Sequence, residues 1–322
     1  MRIIVTGGSG FIGTRFVSEL LKVGHCVTIF DKNISFKYPD ITIVGDIRDT
    51  DAVIKAASGH NAIYHLAAEH ADDVRPESLY YDVNIGGAKN IIVAANKAAI
   101  NKIIFTSTVA VYPLNAVTPD ENSRTAPFNK YGESKYAAEQ IFTKWASEDK
   151  QRSLVTIRPC VIFGEDNRGN VYNLLSQIYK RRFIMVGNGK NRKSLGYVEN
   201  ISGFLRFCLD FPAGIHLFNY ADKPDLTTTE LVGIARKVLG KNLNQKIRIP
   251  YSIGLLGGIA FGLFTKISGK TYPISYIRIK KFCADTTVST NRLLKTSFKP
   301  PYTLKQALEQ TIKAEFHLQN DY

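Results

Sequence analysis

Residues 5–13 read Val5-Thr6-Gly7-Gly8-Ser9-Gly10-Phe11-Ile12-Gly13. A short apolar run, Ile3–Val5, leads in, and a helical pattern from Phe11 to Lys22 leads out. A strand that turns sharply into a helix needs glycine at three places. Gly7 makes the turn, Gly10 leaves room for backbone to approach a pyrophosphate, and Gly13 lets the helix lie close to the sheet. Phe11 and Ile12 open the helix, whose free N–H groups and positive dipole end face the phosphates. The next strand-like run, Cys26–Phe30, ends at Asp31. A carboxylate there accepts hydrogen bonds from both ribose hydroxyls of an adenosine and repels a 2′-phosphate. The expected ligand is therefore NAD rather than NADP.

Working outward, strand-like runs recur at Ile3–Val5, Cys26–Phe30, Thr42–Val44, Ala62–Leu66, Lys102–Thr106 and Leu154–Ile157, with helical patterns between them, notably Asp82–Ala99 and Tyr131–Ala146. This alternation predicts an α/β fold, a Rossmann-type doubly wound parallel sheet. Beyond Gly164 the rhythm breaks. The expected division is a dinucleotide domain over residues 1–165, with a return segment near 195–225. Residues 166–322 then form mainly a smaller, substrate-binding portion.

Charge divides along the same line. Residues 1–165 hold 18 Lys and Arg against 18 Asp and Glu, and residues 166–322 hold 24 against 10, so the whole net charge of +14 lies in the second half. A basic half points to an anionic partner: a diphosphate, a membrane surface or nucleic acid. The basic half has none of the aromatic–basic interleaving of a nucleic-acid binder. Cys26, Cys160, Cys208 and Cys283 are scattered without a CxxC, which reads as reduced, buried thiols in a cytoplasmic protein. No signal peptide is read before the first strand. The six histidines make no metal-ligand pair, so no metal is expected. One stretch is oddly apolar: residues 251–264 carry no charge, follow Arg248 and Pro250, and precede Lys266 and Lys270. It is too short for the roughly 20 residues of a bilayer span. It reads either as a buried helix or as a segment dipping into one leaflet.

The chemistry is expected at Tyr131-Gly-Glu-Ser-Lys135. Tyr and Lys four apart share one helix face. An ammonium beside a phenol lowers the phenol pKa and makes it a usable base. The spacing also occurs at Tyr276 and Lys280, outside the dinucleotide pattern, and is set aside there. The fifth strand ends Thr106-Ser107-Thr108. In open α/β sheets ligands lie beyond strand carboxyl ends, so the Ser107 and Thr108 hydroxyls are placed to reach a substrate oxygen.

Taken together, Gly7-x-x-Gly10-x-x-Gly13, Asp31, Asp46-Ile47, His65-Leu66-Ala67-Ala68, Asn84, Thr106-Ser107-Thr108, Tyr131/Lys135 and Arg158-Pro159 run in an order that resembles the extended short-chain dehydrogenase/reductases. The resemblance implies that Asp46 and Ile47 hold the adenine and that Leu66, Ala67 and Ala68 line the pyrophosphate and nicotinamide ribose. It further implies that Lys135 binds that ribose and that Pro159 and Cys160 border the nicotinamide. The segments 79–84, 167–174, 222–225 and 280–284 are similar to those of bacterial 4-epimerases acting on N-acetylglucosamine carried by undecaprenyl diphosphate, which serve O-antigen assembly. That similarity implies an isomerase at the inner face of the plasma membrane, peripherally attached, with a lipid-linked or nucleotide-linked amino sugar as substrate; a homodimer is allowed. Lys193 aligns with the family's diphosphate-binding arginine, and Arg278 is a second candidate. Thr108 stands where many epimerases have Ser, and Pro113 replaces the usual Gly after Val111-Tyr112. Sugar dehydratases of the family carry Asp-Glu after the strand-end Thr; here those positions are Val109 and Ala110. The alternatives are a soluble UDP-sugar 4-epimerase, an NAD(P)-dependent sugar reductase and a non-enzymatic NAD-binding regulator.

Overall fold

Ile3, Ile4 and Val5 are fully buried in the first strand, because a strand covered by helices on both faces needs apolar side chains on both. The computed structural model describes residues 1–71, 74–114, 116–241, 248–257, 259 and 276–317. Its strands are β1 (Arg2–Thr6), β2 (Cys26–Asp31), β3 (Thr42–Val44), β4 (Ala62–His65), β5 (Lys102–Thr106), β6 (Ser153–Pro159), β7 (Val161–Phe163), β8 (Met185–Val186), β9 (Arg192–Tyr197), β10 (Gly214–Tyr220), β11 (Asp222–Thr227) and β12 (Arg248–Ile249). Seven form one sheet in the order β10-β6-β5-β4-β1-β2-β3, and its recorded pairings are parallel. The expected Rossmann-type sheet is present.

The chain divides into two compact units. The first comprises Met1–Ile162, Gly196–Asp222 and Val288–Tyr302; the second comprises Phe163–Leu195, Lys223–Thr287 and Thr303–Tyr322. In the first unit, helices α1 (Phe11–Lys22), α2 (Thr50–Ala57), α3 (Ser78–Tyr81), α4 (Gly87–Lys97) and α5 (Lys130–Ser147) belong to the leading half of the chain. One core gathers Phe16, Val17 and Leu20 of α1 with Ile201, Phe204 and Leu205 of the returning helix Val198–Phe207. The other gathers Val53, Ala56, Ile91, Ala94, Ala138 and Phe142 from α2, α4 and α5. Two cores, one on each side of a parallel sheet, are the doubly wound arrangement. Strand order reverses between β1 and β4, which opens a crevice at their carboxyl ends.

One helix departs from its pattern. The run expected as a single helix from Asp82 begins as a π-turn over Asp82–Gly86 and becomes α-helical only at Gly87. The irregularity sits where the Asn84 side chain leaves the helix to bond elsewhere, as described below.

In the second unit, helices Asn170–Tyr179, Thr228–Val238 and Leu304–Glu315 pack together. Arg168 and Glu315 form an ion pair, and Phe316 stacks on Tyr172 and Tyr179. Short β8 pairs in parallel with β12. Residues 251–257 are helical. Gly254 is held against Val186, whose Cγ1 would lie 2.5 Å from an added Cβ, while Tyr251, Ile253, Leu256 and Ile259 are exposed. The described part of the apolar stretch is therefore not a buried helix; the remainder of 251–264 lies outside the described residues. Among the described residues no helix is long and apolar enough to cross a membrane. All four cysteines are free thiols; Cys160 and Cys208 are buried, but Cys26, the first residue of β2, faces solvent.

Candidate active site

The glycine turn behaves as its spacing requires. Gly7 has φ +74° and lies so close to the end of β4 that an added Cβ would stand 2.5 Å from the Ala67 nitrogen. At Gly13 an added Cβ would stand 2.3 Å from the Gly7 carbonyl oxygen, so α1 can begin only if that position has no side chain. At Gly10 the space is open apart from the Gly7 oxygen, 3.3 Å from an added Cβ. The turn thus brings Gly7 against the backbone of Leu66 and Ala67 and packs Gly13 on Gly7 and Gly8.

Asp31 ends β2 beside this turn. Its Oδ2 accepts the Ser9 N–H at 3.1 Å and its Oδ1 accepts the Asn33 N–H at 3.0 Å. Each oxygen keeps a lone pair for a ribose hydroxyl. Asp46 is engaged by Arg48, whose Nη2 reaches Oδ2 at 2.6 Å, and this guanidinium holds the Asp46 carboxyl below its ordinary range. Ile47 is buried against Gly87 of α4 and makes the floor of that corner.

Helix α5 begins where Asn129 caps it, its Oδ1 accepting the Gly132 N–H at 2.8 Å. The cap places Tyr131 in the first turn, with its ring 6.4 Å from that of Tyr80. Tyr131 borders a cavity of about 310 Å³ that Glu77, Tyr80, Phe128, Asn129, Lys130 and Glu133 also line, at the lower end of small-molecule sites. Burial pushes the half-buried Tyr131 phenol up to about 12; a hydrogen bond from Thr108 works in the opposite direction. Thr108 also accepts the Ala110 N–H at 3.1 Å. Ser107 is buried and its Oγ has no partner.

Lys135 is 1% exposed, with Nζ 4.2 Å from the centroid of the Phe105 ring, and burial draws its pKa down to about 7. In the protein alone, burial, the Thr108 hydrogen bond and the neighbouring Tyr80 set the Tyr131 phenol. The buried, unpartnered Ser107 hydroxyl fits a site completed by a bound ligand rich in hydroxyl oxygens. Pro159 ends β6, partly buried, and Cys160 follows it.

Asn84, quoted above among the motif residues but given no role, and Ser134 hold this constellation. Asn84 is 1% exposed; its Oδ1 accepts the Glu69 N–H at 2.9 Å, and its Nδ2 donates to the Glu69 carbonyl at 3.0 Å and to Ser134 Oγ at 2.9 Å. Ser134 Oγ in turn lies 2.8 Å from the Tyr131 carbonyl. The loop after β4 is thereby tied to the first turn of α5. Their signals were an asparagine inside a helical run and a serine inside the Tyr–Lys spacing, neither of which identifies its partner.

In the second unit Lys193 Nζ donates to the Ala284 carbonyl at 2.6 Å, and burial lowers its pKa to about 8. Arg278 falls in the helix Tyr276–Cys283, and its side chain lies outside the described residues, as does that of Tyr276.

A glycine turn at a strand reversal, an acid closing the second strand and a Tyr–Lys helix beside a strand-end Thr define a dinucleotide-dependent enzyme of the Rossmann class. Residues 3–219 match the NAD dependent epimerase/dehydratase family, and the chain belongs to that family. It is 46% identical over 99% of its length, and 97% of the relative's, to an Escherichia coli O157:H7 protein called N-acetyl-alpha-D-glucosaminyl-diphospho-ditrans,octacis-undecaprenol 4-epimerase. It is 27% identical to a Vibrio cholerae UDP-glucose 4-epimerase, over 99% of this chain and 96% of that one. Among solved structures, a Bacillus cereus UDP-N-acetylglucosamine 4-epimerase shares the fold at TM-score 0.76 and 19% identity, covering 97% and 98% of the two chains. A Thermus thermophilus UDP-glucose 4-epimerase complexed with NAD does so at TM-score 0.75 and 18% identity, covering 99% and 100%.

Proposed function

We propose that this protein is an NAD-dependent 4-epimerase that interconverts N-acetylglucosamine and N-acetylgalactosamine on undecaprenyl diphosphate, for surface polysaccharide synthesis. The observation that carries this reading is the 46% identity along nearly the whole chain, which includes the second unit, to the relative of that name. The candidate site supplies the chemistry. Gly7, Gly10 and Gly13 cradle the pyrophosphate, Asp31 takes the adenosine ribose, Asp46 and Ile47 border the adenine, and Leu66–Ala68 and Pro159 line the nicotinamide half. NAD held there would supply the hydride acceptor and donor that inversion at the sugar C4 requires. Tyr131 removes the proton from the C4 hydroxyl and later returns it. Thr108 and Ser107 orient that oxygen. Lys135 holds the nicotinamide ribose and, once charged beside it, favours tyrosinate. Only one base is needed, which agrees with Val109 and Ala110 in place of an acid–base pair. Lys193 and Arg278, in the basic second unit, are the cations proposed for the diphosphate.

We further propose that the enzyme is a peripheral membrane protein. The exposed side chains of Tyr251, Ile253, Leu256 and Ile259, the exposed Arg248 beside them and the basic second half support this reading. The test compares lipid-linked N-acetylglucosamine with UDP-N-acetylglucosamine using one preparation. Turnover of the lipid-linked sugar alone is expected. Efficient conversion of the UDP sugar alone would make the protein a soluble UDP-sugar 4-epimerase, and stoichiometric NADH release would make it a dehydrogenase.

A further inference from the structure

A buried ammonium keeps its proton only if a counter-charge or acceptors stand near it. Around Lys135, β4 contributes His65, which burial draws down to about 3 and so keeps neutral, with Nδ1 2.8 Å from Thr6 Oγ1. Strand β5 contributes the apolar Phe105 ring. Helix α5 contributes the neutral phenol of Tyr131 one turn before and Glu139 one turn after. Among the described residues, Glu139 is thus the carboxylate acting on Lys135. It is 3% exposed and is gripped at both oxygens by Arg158 of β6, Nε to Oε1 at 2.9 Å and Nη2 to Oε2 at 2.7 Å. Arg158 is itself anchored. Its Nη1 donates to the Tyr112 hydroxyl at 2.8 Å, which lies 2.8 Å from Asn219 Oδ1 of β10. The Asn219 N–H in turn donates to Glu121 Oε1 at 2.7 Å.

A buried ion pair is ordinarily weak evidence of anything but its own history, since apolar pairs often replace one without loss. This pair has two properties that such a replacement would not keep. Glu139 shares the Tyr131–Lys135 face of α5, at the four-residue spacing that brings side chains together. The bidentate grip fixes where its charge lies.

We propose that Glu139 is a positioning residue that keeps Lys135 in its ammonium form, and that Arg158 holds Glu139 in place for that purpose. The inference rests on the assignment of Tyr131 and Lys135 to the reaction. The direction agrees: Glu139 raises the Lys135 pKa against the downward pull of burial.

The experiment is the pH dependence of kcat for the holoenzyme, in wild type, E139Q and E139Q/R158M. Loss of the Lys135 proton defines the alkaline limb. A nearby opposite charge favours the charged form of a group, so E139Q should move that limb to lower pH by about 1 unit or more. E139Q leaves Arg158 unpaired and can fail to fold; E139Q/R158M removes both charges, and in it the limb should still be displaced. E139D, which keeps the charge, should restore it. A folded E139Q or E139Q/R158M enzyme whose profile superimposes on wild type would reduce the pair to a structural role and overturn the proposal. Full turnover by Tyr131→Phe is the separate result that would overturn the underlying assignment.

Discussion

A Cβ placed on Gly132 would stand 2.3 Å from the carbonyl oxygen of Ala110 and 3.0 Å from its carbonyl carbon. The first turn of α5 therefore lies directly on the backbone that follows Thr108, and this close approach brings Tyr131 to Thr108. The obstacle is main chain rather than a flexible side chain, so it cannot give way cheaply. Gly132→Ala should push Tyr131 away from the strand-end hydroxyl and lower kcat by about 10–100-fold, a 1 Å misplacement being worth that much. Bound NAD should stay near wild-type content, as the glycine turn is untouched. Steady-state kinetics together with cofactor content after denaturation check both halves.

Tyr131→Phe removes one hydroxyl from a site that otherwise stays packed. Loss of a general base costs roughly 10²–10⁴ in rate. The variant should keep its fold and cofactor and lose turnover by that factor. Thr108→Val should lose less, since it leaves the base in place while removing the hydrogen bond that counters the upward pull of burial on the phenol and the one that accepts the Ala110 N–H.

Asp31→Ala should erode the preference for NAD over NADP. Both carboxylate oxygens are already fixed by the Ser9 and Asn33 N–H groups, so the wild-type charge is held in one place. Titration of each dinucleotide into stripped protein reads the ratio; tighter NADP binding by wild type would sink the assignment.

Lys135→Met yields a stability signature with a definite sign. The folded-state pKa of Lys135 is lowered from 10.5 to about 7, so between those values the unfolded chain binds the extra proton and stability rises with pH. The cost of the buried ammonium is greatest below pH 7 and gone above pH 10.5. In the cofactor-free protein, Lys135→Met should therefore be more stable than wild type by roughly 2–4 kcal/mol below pH 7, with the gap closing as pH rises, while activity is lost. Urea unfolding across that pH range measures it.

Ile253→Asp, Leu256→Asp and Ile259→Asp should each reduce sedimentation with anionic vesicles while leaving the thermal transition unchanged, because these side chains are exposed. Equal partition by all three variants would remove the membrane surface from the reading.

What could be read beforehand was whatever a short stretch specifies by itself. The strands before Gly7 and Asp31, the glycine spacing and the Tyr–Lys helix are local patterns, and the sheet that they imply is there. Partnerships across the fold were not legible. Glu139 and Arg158 lie 19 positions apart, and Asn84 and Ser134 lie 50 apart; Arg158 and Asn84 belong to quoted motifs, but nothing in the sequence names the partner of either. The environment of the Lys135 ammonium is likewise set across the fold. Helical spacing puts Lys135 and Tyr131 on one face, but the Phe105 ring supplied by β5 decides where the ammonium lies.

The seventh strand of the parallel sheet, β10, pairs with β6 from Gly214↔Ser153 to Tyr220↔Pro159, and it is synthesised long after β6. Until it emerges, a growing polypeptide carries β6 as an open edge. It also lacks Ile201, Phe204 and Leu205, against which Phe16, Val17 and Leu20 pack. At translation rates of about 5–20 residues per second, that interval lasts roughly 3–12 s. Open strand edges and uncovered apolar faces recruit other chains. A ribosome stalled between the two segments would therefore present an unpaired strand edge and an uncovered α1 face to whatever chaperone is nearest.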